Sequence, residues 1–162
     1  YKGMDGMKTG YHRKGGFSLV ATAKRNECRF VSIVMGVKSS RLRSKLTRML
    51  LDEGFQKYKQ VSLDVQLGMS PLSIEVDKGM ESSLRLKTAH PLRVILKENE
   101  RMKISHHFFL KDRIIAPVEE GQKLGDLEYR LGSVSLGKVP LIAEFGVEKA
   151  GFFANFANTL FN

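Results

Sequence analysis

Three stretches decide the fold: Met4-Asp5-Gly6-Met7-Lys8-Thr9-Gly10-Tyr11, then Gly16-Phe17-Ser18-Leu19-Val20-Ala21-Thr22-Ala23, then Arg29-Phe30-Val31-Ser32-Ile33-Val34-Met35-Gly36. Phe17–Ala23 and Arg29–Gly36 are apolar and rich in β-branched residues, which favours strands. The polar Lys24-Arg25-Asn26-Glu27 between them predicts a hairpin turn. Met7–Tyr11 reads as a neighbouring strand, joined by the Gly-rich turn Arg13-Lys14-Gly15-Gly16. A helix follows. Ser39 or Ser40 can cap it, Leu42, Leu46, Met49, Leu50 and Phe55 give it an apolar face, and Gly54 reads as its stop. Three strands and one helix over residues 1–57 make a thin core. This unit therefore reads as the edge of a larger domain whose remainder is absent.

Beyond it, over residues 58–149, the apolar period becomes two. Strands are expected at Val61–Leu67, Leu72–Val76, Leu84–Thr88, Leu92–Leu96, Lys103–Leu110, Leu124–Leu131 and Val139–Glu144. Turn signals separate them at Gly68, Asp77-Lys78-Gly79, His90-Pro91, Glu119-Glu120-Gly121 and Gly132. Short strands at this spacing predict a small all-β sandwich. Leu92, Val94 and Leu96 alternate with Arg93 and Lys97, and Ile95 interrupts the pattern. His106-His107 invites a metal reading, but adjacent strand residues point to opposite faces. No Cys/His set has zinc spacing. In the tail, residues 150–162, the side chains of Phe152, Phe153, Phe156, Ala157 and Leu160 fall on one helical face. Such a helix is too short to span a membrane and suits an interface or a protein surface.

The net charge is +10, and its distribution is uneven. Residues 1–60 carry 14 Lys/Arg against 4 Asp/Glu, while the rest carry 13 of each. A basic unit attracts anions, although composition alone is met as well by a solvated basic face. Interleaved stacking aromatics are lacking, which argues against nucleic acid as a partner. Cys28 is the single cysteine, so no internal disulfide forms. No apolar run reaches the ~18 residues of a membrane span, and the chain opens on Tyr1, which suggests a mature chain or a fragment.

In this order, the three opening stretches resemble the third active-site motif of the D-alanyl-D-alanine carboxypeptidases, the low-molecular-mass penicillin-binding proteins. Leu50-Leu51-Asp52-Glu53-Gly54-Phe55 is similar to the end of their catalytic domain. Ala116-Pro117-Val118-Glu119-Glu120-Gly121-Gln122-Lys123-Leu124-Gly125 and Pro140-Leu141-Ile142-Ala143 are similar to their C-terminal β domain, and the Phe-rich tail to the start of their anchoring helix. The resemblance implies an α+β fold: antiparallel strands plus one helix, ending a penicillin-binding/β-lactamase-like catalytic domain, then a small all-β sandwich. Two family motifs, Ser-x-x-Lys and Ser-x-Asn, lie upstream of Lys-Thr-Gly and have no room before Tyr1. Ser135-Leu136-Gly137-Lys138 fits Ser-x-x-Lys only literally, in a β-rich turn region of the wrong domain. Lys2 stands where the family often has Pro, and His12 where Thr is usual.

The resemblance also implies roles. Lys8 and the Tyr11 backbone N–H are the catalytic groups, the latter as half of an oxyanion hole. Thr9, Gly10 and Arg43 bind substrate: a hydroxyl for the terminal carboxylate, a bare backbone for close approach, and a guanidinium fork. The implied partners are a peptidoglycan stem peptide ending in D-Ala-D-Ala, β-lactams as inhibitors, and peripheral membrane contact through residues 150–162. No cofactor is implied, and the expected location is periplasmic or otherwise extracytoplasmic. Without the nucleophile motifs this chain alone is expected to be inactive. The alternative is a non-catalytic β-sandwich module that positions a partner at the membrane surface.

Overall fold

The computed structural model describes residues 1–64 and 72–151. The tail helix beyond residue 151 and the end of the strand expected at Val61–Leu67 lie outside the described residues. The described chain forms two compact units. One is Tyr1–Val61 with Ile95–Arg101; the other is Ser62–Val94 with the residues from Met102 onward.

In the first unit, β1 (Met4–His12), β2 (Gly16–Arg25) and β3 (Cys28–Val37) form an antiparallel sheet in the order β1-β2-β3. All three strands run further than expected. The hairpin turn shrinks to Asn26 and Glu27, with φ of 46° and 64°. Two left-handed residues match the twist of the flanking strands. Helix α1 (Ser40–Lys57) follows, and the Ser39 hydroxyl accepts from the Leu42 N–H at 3.1 Å, so Ser39 is the cap.

Two expectations about α1 are corrected. Gly54 is not its stop, because the helix continues to Lys57 and the Tyr58 N–H bonds back to the Gly54 carbonyl. A Cβ at Gly54 would come within 3.2 Å of the Phe30 ring, so glycine there permits close packing of helix on sheet. The expected apolar face, Leu42, Leu46, Met49, Leu50 and Phe55, is buried only in part: Leu46 and Phe55 are half-buried, and Phe55 packs on Phe30. Thr47 and Leu51 are buried, whereas Leu42, Met49 and Leu50 are exposed. The helix lies on β2 and β3, with Thr47 and Leu51 buried and the Phe55 ring edge-on to Phe30 at 4.9 Å.

Further along the chain, β4 (Tyr58–Leu63) pairs with β7 (Leu92–Lys97). Leu92, Val94 and Leu96 face inward and Ile95 outward, so the alternation holds with an apolar residue on the outer face. The strands β5 (Ser73–Glu75), β6 (Ser83–Thr88), β8 (Ile104–Leu110), β9 (Lys123–Leu131) and β10 (Val134–Ala143) make an antiparallel sheet ordered β5-β6-β10-β9-β8. Leu84, Leu86, Leu124, Leu127, Val139 and Leu141 are buried on it, and Val118 and Val147 bridge to each other beside them. The fold class is α+β, with an all-β second unit.

Three details differ from expectation. Glu98–Lys103 is a 3-10 helix, so Lys103 precedes β8 rather than opening it. Its signal was Glu100, whose carboxylate accepts from the Lys97 N–H at 2.9 Å. Strand β10 begins at Val134, so Ser135-Leu136-Gly137-Lys138 is part of an irregular strand, not a turn. There the Ser135 hydroxyl donates to Glu128 and holds that carboxyl below its usual range. His106 packs edge-on to Tyr129 at 5.2 Å, and His107 is exposed on the other face.

Candidate functional site: the Lys-Thr-Gly edge strand

Lys8, Thr9, Gly10 and Tyr11 are consecutive on β1, and all four are exposed. Within the described residues β1 has one sheet neighbour, β2, with Lys8 opposite Val20, Thr9 opposite Leu19, Gly10 opposite Ser18 and Tyr11 opposite Phe17. Its outer side is an open edge, the surface on which an extended peptide adds a strand. The Tyr11 and Phe17 rings lie 4.5 Å apart and pin the end of the strand. The Lys8 ammonium donates to the Thr9 carbonyl at 2.8 Å, so its charge lies along the motif.

Gly10 repays closer inspection. A Cβ there would have Ser18 Cβ as its nearest neighbour, at 3.7 Å, an ordinary contact. Among the described residues nothing within 4 Å other than Ser18 Cβ would meet that Cβ.

Arg43 sits in the first turn of α1, half-buried. Its Nη2 donates to the Ser40 hydroxyl at 3.0 Å, and its buried Nε has no partner. A guanidinium with an unused buried donor is suited to a carboxylate. Among the described residues no hydrogen bond or ion pair joins Arg43 to Lys8, Thr9, Gly10 or Tyr11. The motif residues are thus gathered on one strand, and Arg43 stands apart on the helix.

A polar cluster missed by the sequence reading braces this strand. The Asp5 carboxylate takes both Arg29 guanidinium arms, at 2.8 and 2.6 Å, and the Thr22 hydroxyl at 2.7 Å. Arg29 also donates to the Thr22 hydroxyl. The three residues come from β1, β2 and β3, so the cluster ties the edge strand to the far side of the sheet. The Arg29 guanidinium first, then the Thr22 hydroxyl, hold the Asp5 carboxyl down to about 2. No sequence spacing announces such a cluster. The only local hint is an acid three residues before Lys8.

Comparison with known proteins fits this geometry. The penicillin-binding protein 5 C-terminal domain family matches residues 55–149, and the D-alanyl-D-alanine carboxypeptidase family matches residues 1–39. The carboxypeptidase DacF of Bacillus subtilis is 30% identical over 99% of this chain, which spans 41% of that protein. DacC of Escherichia coli is 29% identical over 93% of the chain, and 38% of its own length is spanned. The crystal structure of penicillin binding protein 5 from Haemophilus influenzae has a TM-score of 0.58 and 25% identity, covering 91% of this chain and 43% of that one. The chain therefore spans about two fifths of these relatives, on the C-terminal side where the penicillin-binding protein 5 C-terminal domain lies. It belongs to the penicillin-binding protein 5 C-terminal domain family.

Proposed function

We propose that this chain supplies one wall of the active site of a serine-type D-alanyl-D-alanine carboxypeptidase acting outside the cytoplasm. Residues 1–57 end the catalytic domain, and 58–149 form the β domain that follows it in the chain. The single observation that carries the reading is the open edge of β1, with Lys8, Thr9 and Gly10 exposed on a strand of fixed register.

The chemistry follows from those groups. A stem peptide ending in D-Ala-D-Ala lies along β1 as an added strand. The Thr9 hydroxyl and the Arg43 guanidinium take its terminal carboxylate, and Gly10 lets the backbone come close. A serine from the upstream portion attacks the carbonyl between the two D-alanines. Its proton passes to a neighbouring base, and the Tyr11 N–H stabilises the oxyanion. The C–N bond then breaks and D-alanine leaves with a proton. Water hydrolyses the acyl-enzyme. Lys8 keeps positive charge beside the nucleophile throughout. β-Lactams are attacked by the same serine and remain as its acyl adduct.

The test is D-alanine release by the chain joined to an upstream segment carrying Ser-x-x-Lys and Ser-x-Asn. Arg43→Gln raises KM about tenfold with kcat little changed, the cost of a charge-assisted hydrogen bond. Lys8→Ala lowers kcat by at least about a hundredfold. Unchanged kinetics in Lys8→Ala contradict the assignment.

A further inference from the structure

Helix α1 carries a second feature, away from Lys8, Thr9 and Gly10 themselves. Arg41, Lys45 and Arg48 recur at helical spacing, so they share one stripe. With Ser44 they line an open groove of about 350 Å³. None of the three cations has a hydrogen-bond or ion-pair partner among the described residues. The acid that continues the stripe, Asp52, accepts from the Tyr1 hydroxyl at 2.6 Å. Three like charges at this spacing repel one another, and an anion held between them removes that repulsion.

Ser44 and Arg48 also line a neighbouring recess of about 200 Å³, together with Tyr1, Met4, Leu19 and Thr47. Thr47 is 2% exposed and its hydroxyl has no partner. A buried hydroxyl without a partner, at the wall of a cavity, marks a place for a polar ligand atom. The cationic groove and this mostly apolar recess therefore meet at Ser44 and Arg48.

The shape selects the ligand chemistry. A carboxylate has two oxygens and is satisfied by one guanidinium fork. A phosphate group presents three or four oxygens and suits two guanidinium groups and an ammonium arranged around it. We propose that Arg41, Ser44, Lys45 and Arg48 bind the phosphate group of an organic phosphate ester, and that the Met4, Leu19 and Thr47 recess takes its uncharged arm. Soluble glycerol phosphate and the headgroup of an anionic phospholipid share this chemistry. The site requires neither a nucleophile nor a D-alanyl peptide.

The experiment titrates the chain with glycerol 3-phosphate, following backbone amides by NMR, and separately with phosphatidylglycerol vesicles against phosphatidylcholine vesicles. Saturable shifts at Ser44, Lys45, Thr47 and Arg48 are expected in the soluble arm if phosphate alone suffices. A response only to phosphatidylglycerol vesicles assigns the site to a membrane-held headgroup. Each of Arg41→Gln, Lys45→Gln and Arg48→Gln weakens binding about tenfold, as expected for a lost charge-assisted hydrogen bond. Thr47→Val, which keeps the shape, weakens it a few-fold. The triple variant Arg13→Gln/Lys14→Gln/Lys38→Gln removes as much charge elsewhere as the three groove substitutions combined, and leaves binding intact. The proposal is overturned by no binding in either arm. It is equally overturned if this charge-matched control loses as much binding as the groove variants.

Discussion

The two units differ in how much apolar side chain they bury. In the all-β unit, Leu84, Leu124, Leu127, Val139 and Leu141 are at most 1% exposed, and the five-stranded sheet closes over a continuous core. In the first unit, Ile33 is 60% exposed and Met35 74%, on the strand beside the central one. Val31 and Met7 are exposed as well, and so are Leu42, Met49 and Leu50 on the helix. The β unit exposes Met80, Phe109, Ile115 and Val134 too, but beside a much larger set of fully buried leucines and valines. Exposed apolar faces of this kind mark surfaces made to be covered. The difference teaches that the Lys-Thr-Gly strand sits in a unit with a thin core, while the unit after it buries a larger one.

This contrast can be broken by mutation, starting with the largest effect. Leu127→Ala empties a fully buried site on β9 and costs about 3 kcal/mol of stability, read from the denaturant midpoint. A loss below about 1 kcal/mol would mean that the β unit is loosely packed.

The Asp5 brace gives a prediction in pH. Its folded carboxyl sits at about 2, below the usual 3.8, so the stability it adds is present above pH 3.8. That stability is lost as the pH falls from 3.8 towards 2. Asp5→Asn flattens this acid limb of the melting curve, and amide exchange along β1 quickens at neutral pH. An acid limb unchanged in Asp5→Asn counts against the brace.

The smallest effect belongs to the uncovered sheet face. Ile33→Ser changes the stability of the chain by no more than about 0.5 kcal/mol, because the side chain has little to lose. If it costs several times more, that face is already packed and the contrast between the units fails.

Much of this was legible in the sequence, for reasons visible residue by residue. The β-branched runs around Val20 and Ile33 gave the hairpin, because strand propensity and strand packing agree there. The helix was legible from its period, but its buried face was not. Periodicity points to Leu42, Leu46, Met49, Leu50 and Phe55, of which Phe55 does pack on Phe30 of β3, whereas the fully buried residues are Thr47 and Leu51. Gly54 was misread for a related reason: a glycine near a helix end looks like a cap, while here it makes room for the Phe30 ring. The motif residues Lys8 to Tyr11 were readable because they are contiguous. The Asp5–Thr22–Arg29 brace was not, since three residues from three strands meet only in the folded sheet. The same holds for the groove on α1, whose cations read in one dimension as a solvated basic face.

The most direct test of the central claim, that this chain is one wall of a two-walled site, is intact mass after incubation with a penicillin. The account predicts no covalent adduct on the 162-residue chain alone. It predicts one adduct per molecule once an upstream segment carrying Ser-x-x-Lys and Ser-x-Asn is joined to it. A stoichiometric adduct on the isolated chain, on Ser135 or any other serine, would contradict it.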